Sequence, residues 1–249
     1  MTTAALAAAD PLGVDAWVWA ACLLIVFVGA LVQGTIGMGL GTLAAPLLAI
    51  ADPGFVPVGI LLPVIPLSLT MAWRERHHVD ARGISWALAG RVPGTVLGVW
   101  VLARANHALL TVIIAVSVLI AVAASTAGIH FRPSRRNLAL AGVASGFTGT
   151  SAGIGGPPMA LTYRHGDPAV MRSTLAVYFM AGLTISLATL AAGGVIDRHQ
   201  VALGLALVPA SVVGTLVAPL LAGRVPANRV RTAVLAVCSI SAILLLVQL

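Results

Sequence analysis

Two glycine-rich stretches, GTIGMGLG at residues 34–41 and GFTGTSAGIGGPP at residues 146–158, interrupt what is otherwise a succession of long apolar runs. A chain that is 59% hydrophobic and 8% charged has too much apolar surface for a soluble domain. The runs are continuous rather than short and alternating, which points to membrane helices and argues against a transmembrane barrel. Unpaired backbone groups are costly in hydrocarbon. A break at membrane depth therefore survives only when buried in protein or lining a wet cavity. The breaks thus restrict the fold more than the runs do.

Apolar segments are predicted at 16–33, 38–51, 55–73, 84–103 and 107–128, and again at 137–149, 156–164, 172–193, 199–222 and 228–248. The two sets correspond. Val92-Pro93 followed by Val96 and Gly98 matches Val208-Pro209 followed by Val212 and Gly214 at an offset of 116 residues, and Gly39-x-Gly41 matches Gly153-x-Gly155 at an offset of 114.

Arginine placement sets the expected topology. If each broken segment simply crosses the membrane, the loop arginines divide almost evenly between the two sides. If each one instead enters and returns on one side, eleven lie together: Arg74, Arg76, Arg82, Arg132, Arg135, Arg136, Arg164, Arg172, Arg224, Arg229 and Arg231. Only Arg104 and Arg198 then lie opposite, a strong positive-inside signal. The expected fold class is therefore an all-α polytopic membrane protein made of two inverted repeats, residues 1–129 and 130–249. Each repeat is a re-entrant helical hairpin (16–51 and 137–164) plus three transmembrane helices (55–73, 84–103 and 107–128; 172–193, 199–222 and 228–248). Inverted repeats with discontinuous helices are a recurring construction of secondary transporters. Both termini are predicted to be periplasmic. The residues before Trp17 lack a basic start and carry Asp10 and Asp15, so a first segment retained in the membrane is expected rather than a cleaved leader.

The net charge of +7 reflects these loop arginines and sets topology; nucleic acid is not an expected partner. The two cysteines, Cys22 and Cys238, lie far apart in apolar runs, and no metal-ligand spacing occurs, so neither metal nor cofactor is expected. No HExxH, paired intramembrane aspartates or Ser/His dyad at common depth points to an enzyme.

The glycines at the breaks (Gly37, Gly39, Gly41, Gly153 and Gly155) permit close backbone approach to a ligand, and each break is followed by a new helix start with free N–H groups and a positive dipole end. Two such starts facing one another make an anion site. Gln33, Thr35, Thr42, Thr148, Thr150 and Ser151 stand around them as neutral donors suited to an oxyanion. The same small residues also allow tight helix packing. Arg91 lies near the middle of the 84–103 run, where an arginine costs at least ~2.5–3.5 kcal/mol. With no carboxylate at matching depth, its counter-ion would be an anionic substrate; the alternative is that it caps carbonyls freed around Pro93. Asp52, His78 and Asp167 are candidates for proton coupling, or else turn, helix-start and solvated-loop residues.

The spacing Gly29-x4-Gly34-x2-Gly37-x-Gly39-x-Gly41 with Pro46 resembles the first repeat of the TauE/SafE sulfite exporter family. Residues 142–158, Arg172-Ser173-Thr174, Gly194-x-Ile196-Asp197 and Pro209-x4-Gly214 are similar to that family's second repeat. The resemblance spans about residues 26–247. It implies a bacterial inner-membrane transporter of sulfite, sulfonates or related organosulfur anions, driven by the proton gradient. The expected function is secondary active transport of a small sulfur oxyanion, with the lipid bilayer as surroundings and homo-oligomerisation left open. A passive anion channel and a membrane component that docks a partner enzyme are the alternatives.

Overall fold

The computed structural model describes residues 15–127, 131–163, 166–221 and 227–248; Arg164 and Arg224 of the topology count lie outside these. All ten α-helices among the described residues follow the apolar runs: α1 Ala16–Ile36, α2 Leu40–Ala51, α3 Val58–Arg74, α4 Ala81–Leu102, α5 His107–Thr126, α6 Arg135–Ser151, α7 Gly156–Tyr163, α8 Pro168–Ala192, α9 Arg198–Leu221 and α10 Ala227–Val247. Helix starts in the connections are capped by short polar side chains. Asp80 Oδ1 accepts from Gly83 N (2.8 Å), Asn106 Oδ1 from Leu109 N (2.9 Å), Ser134 Oγ from Asn137 N (3.2 Å) and Asp167 Oδ1 from Ala169 N (2.8 Å).

Six of these helices, α1, α4, α5, α8, α9 and α10, are long and apolar enough to cross a membrane; α3, expected as a crossing, has only 17 residues, while α1, expected as one arm of a re-entrant hairpin, has 21. This is a multi-pass membrane protein. The first run continues past residue 33 to Ile36 before Gly37 turns it in the left-handed conformation (φ 89°). Helix α2 then folds back along α1, which returns the chain to its point of departure: Trp19 near the start of α1 stacks edge-on against Phe55, just past α2, with centroids 5.9 Å apart. The second broken segment doubles back in the same way. Phe131 N, ahead of α6, donates to Leu161 O near the end of α7 (3.2 Å).

The helix pairs come in related sets. α4 packs on α6 and α9 on α1; α3 packs on α9 and α8 on α4; α3 also packs on α8, and α5 on α10. The α4–α6 contact brings backbone against backbone. A side chain at Gly90 or Gly94 would strike the carbonyls of Ala139 or Val143, and one at Gly142 would strike that of Ala87. Gly214 sits in the same way on Phe27 of α1. Gly142→Val is expected to force α4 and α6 apart at a cost of about 1–3 kcal/mol, lowering the melting temperature of the detergent-purified protein by several degrees. An unchanged melting temperature would contradict this close approach.

All five tryptophans lie at or near helix ends, as at a membrane–water boundary. Arg76 covers Trp73 (4.3 Å to the ring centroid) and Arg135 covers Trp86 (5.4 Å), while Arg172 pairs with Glu75 (3.6 Å). These contacts gather the start of α4, α6 and α8 with the end of α3 at one arginine-rich end. At the other end Arg104 covers Trp100 (4.4 Å), and His199 Nε2 lies 3.8 Å from Asp52.

Candidate functional site

The two breaks meet. A methyl group at Gly41, in the first turn of α2, would run into the carbonyl oxygen of Gly153 in the second break. One at Gly156, which opens α7, would rest against Cβ of Met38 in the first break, at 3.5 Å. Gly39 (φ 145°) and Gly153 (φ 73°) adopt backbone angles that other residues rarely reach, so the turns at both tips depend on glycine. Between the tips lies a hollow of about 50 Å³ bounded by Gln33, Gly39, Gly41, Thr42, Arg91, Gly149, Gly153 and Gly155, with Phe179 and Leu183 on its apolar side. That exceeds the ~10–15 Å³ one water requires.

Arg91 is 3% exposed. Its Nη1 donates to Ser145 Oγ (3.0 Å) and its Nη2 to Ser186 Oγ (3.2 Å), while its guanidinium lies 5.1 Å from the ring centroid of Tyr178. Its Nε is buried with no partner. The helix-capping alternative therefore gives way, since the guanidinium bonds hydroxyls from two other helices. Small residues make room for it: a methyl group at Gly182 would overlap the guanidinium, and Gly149 and Gly155 lie against its nitrogens. Neither the Arg172–Glu75 nor the His199–Asp52 ion pair involves Arg91, which stands buried without an acidic neighbour among the described residues. A site with this charge and these donors can replace the water shell of a small anion.

The helix starts contribute unequally. In α2, Leu40 N donates to Gln33 Oε1 (3.0 Å), and Leu43 N makes a backbone bond back to Gly39 O (2.9 Å). The N–H groups of Gly41 and Thr42 lie between these positions, in the first turn, where no intrahelical partner exists. Because Gln33 accepts through its oxygen, its amide nitrogen is the group left to donate. In α7, the first three positions are Gly156, Pro157 and Pro158, so two of the three donors are missing. Arg91 places a charged donor on that side, where the prolines have no N–H.

Several expected donors lie elsewhere. Thr35 Oγ1 donates to Val32 O (2.9 Å) and borders a separate cavity of about 280 Å³ with Arg74, Glu75 and Arg172 at the arginine-rich end. Gly37 packs against the Arg172 side chain instead of bounding the hollow. Thr148 Oγ1 lies 2.9 Å from Ala144 O and 2.6 Å from Ile154 O and fastens the second break. Ser151 Oγ donates to Phe147 O (2.7 Å). Thr150 sits behind Arg91, with its Oγ1 2.8 Å from Ser186 Oγ. The proton-coupling candidates are remote from the hollow: Asp52 caps the turn at Gly54 (2.7 Å), Asp167 caps α8, and His78 is exposed in a 3-10 turn. Ser145, Ser186 and Tyr178 were not foreseen from the sequence. Ser145 Oγ both receives from Arg91 and donates to Gly155 O (2.5 Å), tying the arginine to the break itself.

A family model described as sulfite exporter TauE/SafE matches residues 21–245. No curated protein and no solved structure matches the chain.

Proposed function

The chain belongs to the sulfite exporter TauE/SafE family, and from that premise we propose that it is a secondary active transporter moving a small sulfur-containing oxyanion across the bacterial inner membrane by alternating access. Arg91 carries this reading: a buried guanidinium with an unpartnered Nε and no acidic neighbour borders a hollow where two helix breaks meet. The anion is held by the Gly41 and Thr42 N–H groups, the Gln33 amide and Arg91. The size of the hollow supports sulfite over a bulkier sulfonate or a sulfoacetate-like organosulfonate, which would need the tips to part. Residues 1–129 and 130–249 act as inverted repeats that rock against one another. The arginine-rich end is cytoplasmic and the termini are periplasmic, and the 280 Å³ cavity beside Arg172 is the cytoplasmic approach.

The proton-motive force is the proposed drive. No carboxylate or histidine borders the hollow among the described residues. Sulfite can itself carry a proton as hydrogensulfite, so coupling through the substrate needs no carboxylate at the site.

Counterflow in proteoliposomes tests the reading. Vesicles loaded with unlabelled sulfite are expected to accumulate labelled sulfite transiently above its external concentration. Equilibration without overshoot identifies a channel, and no sulfite-dependent movement of label removes sulfite as the cargo.

A further inference from the structure

The two halves differ behind their breaks. In the first half α10 is seated on the outer side of α2, with Cys238 Sγ donating to Thr42 O (3.3 Å). In the second half the corresponding side of the hairpin is covered less closely, by α5. An apolar groove of about 640 Å³ runs between α5 and the α6–α7 hairpin, and its deep end reaches Thr148, Ile154 and Pro157 at the break. Its walls leave large apolar side chains uncovered: Ile120 is 64% exposed and Leu140 57%. In a bilayer such a groove is filled by hydrocarbon.

Its length and its charged end identify the hydrocarbon. Lining residues on α5 extend over positions 112–124, or roughly 18 Å at the rise of an α-helix. That is close to the ~15 Å depth of one leaflet. At the shallow end Phe131 and Asn137 line the groove. Their chain neighbours Arg132 and Arg136 are exposed and have no acidic partner among the described residues. Asn137 Nδ2 donates to Arg132 O (3.0 Å), which holds this basic turn beside the lining residues Phe131 and Asn137. Arg231 reaches Ser125, beside the lining residue Ala124, through Nη2 to Oγ at 2.9 Å. Positive charge at one end of a leaflet-length apolar groove fits a single class of occupant. We propose that the groove binds one anionic phospholipid, with an acyl chain against the back of the second break and the phosphate at Arg132 and Arg136.

Native mass spectrometry of the full chain in detergent, titrated with phosphatidylglycerol or phosphatidylcholine, tests this without reference to transport. The intact protein is expected to retain one phosphatidylglycerol about tenfold more strongly than phosphatidylcholine. Arg132→Gln with Arg136→Gln is expected to abolish that preference while leaving the melting temperature unchanged. A second variant, Ala144→Phe, fills the groove from α6 and is expected to exclude both lipids. Equal retention of the two lipids by the wild-type protein, or undiminished retention by Ala144→Phe, would overturn the proposal. So would a stable dimer cross-linked through Leu140→Cys, since a second copy would then occupy the groove.

Discussion

Replacing Arg91 with methionine is expected to reduce sulfite flux at least about 100-fold, the effect of losing roughly 3 kcal/mol of charge-assisted binding. The same substitution is expected to leave the melting temperature of the substrate-free protein equal to or above that of the wild type. An uncompensated arginine at mid-bilayer costs ~2.5–3.5 kcal/mol, and the hydroxyls of Ser145 and Ser186 offset only part of that. Methionine keeps much of the volume without the charge. Arg91 is then a destabilising group retained for the proposed transport. Saturating sulfite separates the two roles: it should raise the wild-type melting temperature, with about 2.7 kcal/mol available at a hundred times Kd, and leave Arg91→Met unmoved. A purely structural arginine would give the opposite pattern, with a destabilised variant that still responds to sulfite.

The second large effect comes from the contact between the breaks. Gly41→Ala is expected to lose about 10–100-fold in flux, because its methyl group would enter the space of the Gly153 carbonyl and spread the tips at a cost of about 1–3 kcal/mol. Gly156→Ala, across the same hollow, places its methyl group 3.5 Å from Met38 Cβ, an ordinary contact. It should transport within about threefold of wild type, less than the effect of 1 kcal/mol. Equal losses in both variants would mean that the breaks are merely crowded and that their register does not matter.

Much of the architecture was legible in the chain because hydrocarbon leaves few options. Long apolar runs become helices, and a glycine cluster inside such a run becomes a turn that must be buried. Arg91 was legible for the same reason, as a charge where none is otherwise tolerated. The hydroxyls were harder to read. Thr35, Thr148 and Ser151 stand near the breaks in sequence, yet each satisfies its proton on a nearby backbone carbonyl. Ser145 and Ser186 are equally unremarkable as residue types. They matter because the α4–α6 and α4–α8 contacts bring them to one guanidinium, which depends on helix rotation and not on spacing along the chain.

The prolines that open α7 set the two helix starts apart. Pro157 and Pro158 suit a first helical turn, yet they delete the donors that would make the second start equal to the first. Arg91 borders the hollow from α4, while Leu207, 116 positions further along the chain, is a fully buried apolar residue. The resulting site has backbone donors on one side and a guanidinium on the other.

A structure of the protein bound to selenite, a heavier analogue of sulfite whose selenium can be located by anomalous scattering, would show where the anion sits. The anion is expected between the first turn of α2 and Arg91, within hydrogen-bonding distance of the guanidinium and of the Gly41 or Thr42 N–H. An anion found only beside Arg74 and Arg172, and not between the breaks, would contradict a binding site at Arg91.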